Sequence, residues 1–374
     1  MATKAEEVNT TPTEAAGPVG SATTEKQAET VPVVESAAEK DQPVTEKTGV
    51  EDATAAVAEL SVADKDVAVK KTEEDAAAAV TASAPKTTTD PAPSANGPTW
   101  PETSPDHPLT KFFDLFETLV TEAGHNEVYG VELSKSNPFH TKLILQKFLR
   151  ANQNDLEKAK LQLLETLKFR KEFDPVKAAG ESFEQSRFGG LGYILEVEGV
   201  PESPNKKDIV TFNIYGAVKD NKATFGDLDG FLRWRVGLME KSVQKLNLSS
   251  ATEPIPNYNE GPDPYQGFQI HDYLQVSFLR QDPHVKAATK KTIEILGRHY
   301  PETLSRKFFV NVPVVMGWLY SAMKMVIAKE TVKKFTVLSY GNQLATELGP
   351  NIPKVYGGTT GDLGDVGEGV KFTE

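Results

Sequence analysis

The sequence predicts an α/β domain with a mostly parallel sheet, preceded by a small all-helical unit and a long acidic tail. Three observations carry that prediction. No aromatic residue precedes Trp100, helical periodicity dominates from Leu109 to Phe173, and short apolar strands alternate with helices from Gly192 onward. Strands joined through helices form crossovers, and crossovers give parallel pairs.

The tail is set apart by charge. Residues 1–100 hold 8 Lys, no Arg and 18 Asp plus Glu, so −10 of the chain's net charge of −12 lies there. Residues 1–99 are rich in Ala, Thr, Glu, Val and Pro and have no rings to bury. Such a segment cannot offset the entropy of ordering, and it is expected to be a disordered acidic tail. The chain has no cysteine, which excludes disulfides, thiolate metal sites and a Cys nucleophile and agrees with a cytoplasmic setting. No apolar run reaches the length of a membrane-spanning helix. The segment Met1-Ala2-Thr3-Lys4-Ala5-Glu6-Glu7 also lacks the apolar core of a secretory signal.

Leu109, Phe112, Phe113, Phe116, Leu119 and Val120 follow helical spacing up to Gly124. A second helix covers about His140–Ala151, and a third begins after the capping pair Asn154-Asp155 and stops at Asp174-Pro175. Together they define a helical unit at 105–178. The domain proper is placed at 179–362, with 363–374 as a C-terminal tail. Within it, Tyr193–Val197 and Asp208–Tyr215 are expected strands, and Phe225–Leu246 a long helix. Then come a strand at Gly267–Val276, a helix at Pro283–Tyr300, a strand at Lys307–Val312, a helix at Val314–Lys329 and a strand at Phe335–Leu338.

Common catalytic signatures are missing. Gly189-Gly190-Leu191-Gly192 precedes a strand, the wrong side for a dinucleotide fingerprint. There is no phosphate-binding Gly-rich loop with Lys, no nucleophile elbow and no paired His at metal-ligand spacing. Residues 101–374 carry a net charge of only −2, so a basic nucleic-acid footprint is not indicated.

A few residues break the apolar pattern. His271 and Tyr273 fall on one face of a core strand, where polar groups need polar partners, a water or a ligand. Advancing about 100° per residue from Leu228 puts Arg235 at about −20°, in the middle of the helix's apolar stripe, whereas Arg233 falls about 140° away. A structural ion pair or a snorkelling stem would explain Arg235 as well as a ligand would. Tyr215 ends its strand and Lys307 opens another. Taken together, the five suit a haem pocket, since a phenolate can ligate ferric iron and nearby cations can lower a phenol's pKa or pair with propionates. The helix after Pro313 is apolar nearly all round, with Trp318, Met316, Met323 and Met325, as either a core helix or a gate that meets a bilayer would be.

Several motifs resemble the CRAL-TRIO lipid-transfer family. They are Leu145-Gln146-Lys147-Phe148-Leu149-Arg150-Ala151, Tyr300-Pro301-Glu302 running into Phe308-Phe309-Val310-Asn311-Val312-Pro313, and Ile352-Pro353-Lys354-Val355-Tyr356-Gly357-Gly358. Asn213-Ile214-Tyr215-Gly216, Arg235–Lys241 and His271-Asp272-Tyr273 are most similar to its fungal haem-binding, non-classical phosphatidylinositol-transfer branch. The resemblance implies a CRAL-TRIO fold with an apolar cavity closed by a gate helix. It also implies a non-enzymatic, cytoplasmic carrier of phosphatidylinositol, in transient peripheral contact with endoplasmic reticulum or microsomal membranes. It maps haem b to Tyr273 as the axial ligand, with His271 beside it and Tyr215, Arg235 and Lys307 in support. The head group is mapped to Glu302, Thr331 and Lys334. A phosphate-binding Arg of other branches falls at Asn152, and Gly267 and Gln269 replace the hydroxyl residues expected for phosphatidylcholine. The alternatives are a haem-dependent redox enzyme or sensor without lipid transfer, and an adaptor working through its acidic tail.

Overall fold

The computed structural model describes residues 97–276, 282–313 and 333–373. The expected gate helix beyond Pro313, Thr331 and the acidic tail through residue 96 lie outside the described residues. Helix α1 (Pro108–Ala123) starts where the His107 imidazole accepts the Leu109 N–H and ends at Gly124, whose φ of 63° suits a residue without Cβ. A two-residue hairpin, β1 (Glu127–Val128) and β2 (Val131–Glu132), leads to α2 (Pro138–Ala151). The Asp155 carboxylate caps α3 (Leu156–Phe173), and Asp174 at φ 52° turns the chain into α4 (Pro175–Gly180). Phe112, Phe116, Leu143, Phe148, Leu163 and Leu167 fill the core between these helices.

Next come β3 (Ser182–Glu184), α5 (Gln185–Phe188), β4 (Gly192–Glu198), β5 (Lys207–Ile214), α6 (Asn221–Phe225), α7 (Leu228–Lys245) and β6 (Gly267–Asp272). The chain continues through α8 (Pro283–His299), β7 (Leu304–Val310), β8 (Phe335–Val337), α9 (Leu344–Leu348), α10 (Leu363–Val366) and β9 (Lys371–Thr373). The main sheet has the order β4-β5-β6-β7-β8, antiparallel between β4 and β5 and parallel thereafter. It is the mostly parallel α/β sheet that the alternation predicts.

The sheet's two faces differ in chemistry. Val210, Phe212, Phe268, Ile270, Phe308 and Val310 pack on one side beneath Leu344, Leu348, Ile352 and Tyr356. Strand alternation turns Thr211, Asn213, Gln269, His271, Lys307 and Phe309 to the other side. There the Thr211 hydroxyl meets that of Ser242 on α7 at 2.6 Å, and Gln269 Nε2 donates to Met239 Sδ at 3.8 Å.

Some boundaries differ from those expected. The long helix is broken at Gly226-Asp227, because the Asp227 carboxylate accepts the Gly230 N–H and so starts α7 afresh. Strand β6 stops at Asp272, and Tyr273 lies just past its end. Tyr215 falls in a single 3-10 turn, Tyr215–Ala217, rather than in the strand. Residues 363–373, separated as a tail in the sequence, return to the domain. Ile194 and Glu368 exchange backbone hydrogen bonds, Val370 is buried, and β9 pairs in parallel with β3.

Candidate functional site

Four aromatic rings line one end of the polar face. Tyr215 lies 5.4 Å from His271 and 5.5 Å from Tyr273, centroid to centroid, while Phe309 lies 5.7 Å from His271 and 6.3 Å from Tyr273. The register explains the grouping, because Asn213, His271 and Phe309 are direct partners across β5, β6 and β7. Tyr215 is held close by Gly216, where a Cβ would stand 1.6 Å from the Leu274 carbonyl oxygen. Only glycine permits that approach of one backbone to the other.

The charges converge on His271. Burial first, then the positive charges of Lys307 and Arg235, push its imidazole well below the usual range, so it is neutral at physiological pH. Arg235 is 2% exposed and His271 6%. Among the described residues, Nε and Nη1 of Arg235 and both ring nitrogens of His271 are buried without a hydrogen-bond partner. Polar groups in that state cost free energy until a ligand or water meets them. Arg235 therefore occupies the middle of the apolar stripe with no structural ion pair, its rival explanation, among the described residues. The wheel puts Arg233 on the other side, and there it pairs with Glu181 at 2.7 Å.

The structure brings Tyr215, Arg235, His271, Tyr273 and Lys307 together. One detail differs from the sequence expectation that cations would ease ionisation of the phenol. Burial, followed by Tyr215, raises the Tyr273 pKa above that of an ordinary phenol, while the two cations act on His271. Loss of the Tyr273 proton would then have to be driven by a bound metal's own charge.

Glu302 and Lys334, the described residues among those matched to the lipid head group, lie at the opposite end of β7. Gln266 Nε2 donates to Glu302 Oε2 at 2.8 Å, and Glu302 is flanked by Arg150 at 3.6 Å and Lys334 at 3.7 Å. Asn152, at the position of the missing cation, donates to the Phe148 carbonyl and to Gln162. Arg150 stands beside Glu302 together with Lys334, yet its guanidinium also donates to the carbonyls of Pro256, Asn257 and Gly261.

Sequence reasoning passed over Asn213 and Phe309 on the polar face. Asn213 is fully buried and donates to Gln269 Oε1 and the Ile270 carbonyl, leaving Oδ1 unpartnered. An Asn amid apolar neighbours in β5 was the available signal. It also passed over two buried ion pairs. Lys147 meets Asp263 at 2.7 Å, both side chains being fully buried, and Arg170 bridges Glu240 and Glu127, each at 2.7 Å. Burial works against the Arg170 charge, but hydrogen bonds and charge from Glu240 outweigh it and hold its pKa above the usual guanidinium value.

A layered α/β domain with a polar-lined inner face and a capping helical unit defines the class. The chain belongs to the CRAL/TRIO family. Residues 210–358 match the CRAL/TRIO domain, and residues 108–165 match the CRAL/TRIO N-terminal domain. Among its relatives, the Phosphatidylinositol transfer protein SFH5 of Phaeosphaeria nodorum is 70% identical over 323 residues, spanning 86% of this chain and 97% of that protein. The Phosphatidylinositol transfer protein SFH5 of Cryptococcus neoformans var. neoformans serotype D (strain B-3501A) is 48% identical over 283 residues, 74% of this chain and 94% of that protein. A solved structure titled Crystal structure of Sfh5 superposes with a TM-score of 0.59 at 29% identity, covering 70% of this chain and 90% of that one.

Proposed function

We propose that this protein carries phosphatidylinositol between membranes and holds haem b on the polar inner face of its sheet. The lipid part is supported by the relatives named as phosphatidylinositol transfer proteins and by Glu302 and Lys334 standing together beside Arg150. No helix among the described residues is long and apolar enough to cross a membrane. Contact with endoplasmic reticulum or microsomal membranes from the cytoplasm is accordingly proposed as transient and peripheral. Gly267 and Gln269 do not offer a choline lipid the hydroxyls used elsewhere in the family, so phosphatidylcholine is a poor cargo.

One observation carries the haem part. Arg235 and His271 are buried with nitrogen atoms unpartnered among the described residues, beside three further aromatic rings, Tyr215, Tyr273 and Phe309. These residues fit a flat, apolar, anionic group. Tyr273 would hold the iron through its phenolic oxygen, and Arg235 and Lys307 would face the carboxylates. His271 would remain neutral beside Tyr273, with Tyr215 and Phe309 as walls. Haem, when bound, supplies a ferric centre of the tyrosinate-ligated kind. A stress role linked to haem or oxidants would follow from that centre. No acid–base pair or nucleophile emerges from the site, so a carrier or sensor is favoured over a redox enzyme.

An absorbance spectrum and a lipid extract of the same purified protein test both parts. The expected result is a Soret band on purification or on adding haem, lost or shifted in Tyr273→Phe, with phosphatidylinositol in the extract. A colourless protein that takes up no added haem overturns the haem part alone. An extract without phosphatidylinositol, together with no exchange of that lipid between vesicles, overturns the lipid part.

A further inference from the structure

Asp272 stands between His271 and Tyr273, and its side chain takes the opposite face of the sheet. It is 4% exposed, within the apolar layer of Val310, Ile270 and Tyr356. Among the described residues, three donors meet its carboxylate. Tyr356 OH donates to Oδ2 at 2.7 Å, while Asn311 Nδ2 at 2.7 Å and the Leu274 N–H at 2.9 Å both donate to Oδ1. None of these donors is a cation. Asn311 in turn accepts the Gly341 N–H at 2.7 Å, from a φ of 59° that non-glycine residues seldom adopt. One carboxylate thus gathers the ends of β6 and β7, the turn after β8 and the 3-10 turn at Lys354–Tyr356.

A buried carboxylate without a cation is an expensive way to fill an apolar layer, and a hydrophobic side chain would pack there more favourably. What the carboxylate does achieve is directional. It closes a turn onto the Leu274 N–H, while the Tyr273 N–H donates to the Val310 carbonyl at 3.0 Å. The peptide units on both sides of Tyr273 are thereby fixed. The Leu274 carbonyl is also the group against which Gly216 is packed, so the same turn sets the distance between Tyr215 and Tyr273.

We propose that Asp272 is a positioning residue: through Tyr356, Asn311 and the Leu274 N–H it aims Tyr273 into the inner face and ties that aim to the closing segment of the domain. Its bearing on haem rests on the function proposed above; its effect on the Tyr273 ring does not. Outer partners that orient a metal ligand are worth about 10- to 100-fold in affinity when removed.

The test uses the full-length protein and the variants Asp272→Asn, Tyr356→Phe and, as a control in the same apolar layer, Val197→Ala. Two readouts are taken: the nuclear Overhauser contact between the Tyr215 and Tyr273 rings without ligand, and the Soret position and haem dissociation rate after loading. Asp272→Asn should weaken the ring contact, shift the Soret band and speed haem loss by about 10- to 100-fold. Tyr356→Phe should move every readout the same way by less. Val197→Ala should lower the melting temperature while leaving ring contact and spectrum alone. The proposal is overturned if Asp272→Asn lowers the melting temperature as Val197→Ala does but keeps the wild-type ring contact. If the wild-type protein takes up no haem, the haem function fails, and the ring contact still decides whether Asp272 aims Tyr273.

Discussion

Two sets of buried polar side chains in this molecule are built on opposite plans. Where the helical unit meets the sheet domain, Lys147 has Asp263, and Arg170 has Glu240 and Glu127, with Tyr300 OH donating to Glu240 as well. On the inner face, Arg235 and His271 are as deeply buried, yet each has nitrogen atoms with no hydrogen-bond partner among the described residues. The paired charges hold the fold together, whereas the unmet nitrogens are the groups that the proposed ligand would satisfy. Breaking a buried pair strands its partner, whereas removing a charge that has no partner relieves the fold of a burden.

Mutations can put that contrast at risk. The largest effect is expected from Glu240→Ala, which leaves the buried Arg170 guanidinium with Glu127 alone and takes away the acceptor of the Tyr300 hydroxyl. Urea unfolding should show a loss of about 3–5 kcal/mol. A loss below 1 kcal/mol would put this interface in the same class as the inner face.

Next in size is a pH effect at the same interface. His299 stacks on Phe169 with ring centroids 4.2 Å apart, and burial, followed by the Arg298 charge, pushes its pKa down to about 4. The folded value lies below the unfolded one, so the unfolded chain takes up the proton first. The stability due to neutral His299 is complete above about pH 6.5 and is lost as pH falls towards 4, amounting to roughly 3 kcal/mol over that window. His299→Phe keeps a stacking ring and should remove this part of the acid sensitivity, read as the difference between the two stability–pH curves. Parallel curves would show that His299 does not carry it.

The smallest effect has the most informative sign. Arg235→Leu should leave the stability of the ligand-free protein unchanged or raise it by about 1 kcal/mol, while haem uptake falls. A loss comparable to that of Glu240→Ala would mean that Arg235 is structural, and the contrast would collapse.

The inner face was largely legible in the sequence because its signals are violations of periodicity. Arg235 sits inside an apolar stripe and His271 inside an apolar strand, and one face of each element is enough to reveal them. The paired charges were hidden for a physical reason. On the same wheel Glu240 falls about 120° from Leu228, where an exposed acid is ordinary. Yet α7 is covered on both sides, by the sheet and by α4, which comes so near that a Cβ on Gly237 would stand 2.7 Å from the Ala178 carbonyl oxygen. A helix between two layers has no solvent side, and amphipathic reasoning assumes one. The return of β9 to β3 escaped for another reason. Three residues of strand carry almost no pattern, and their partner lies far away in sequence.

Lys147 deserves a last look as a chemical group. Its ammonium donates to Asp263, to the Tyr265 carbonyl and to the Glu302 carbonyl, at 2.7 to 2.9 Å, and its side chain is inaccessible. An amine whose three protons are all engaged has no lone pair to offer an acylating reagent. Lys147 can react only after α2 has drawn away from the loop around Asp263 and from the turn that carries Glu302. Its labelling rate is therefore a clock for the undocking of the helical unit, and because the Glu302 carbonyl is one of its three acceptors, that clock runs at the threshold of the proposed head-group site.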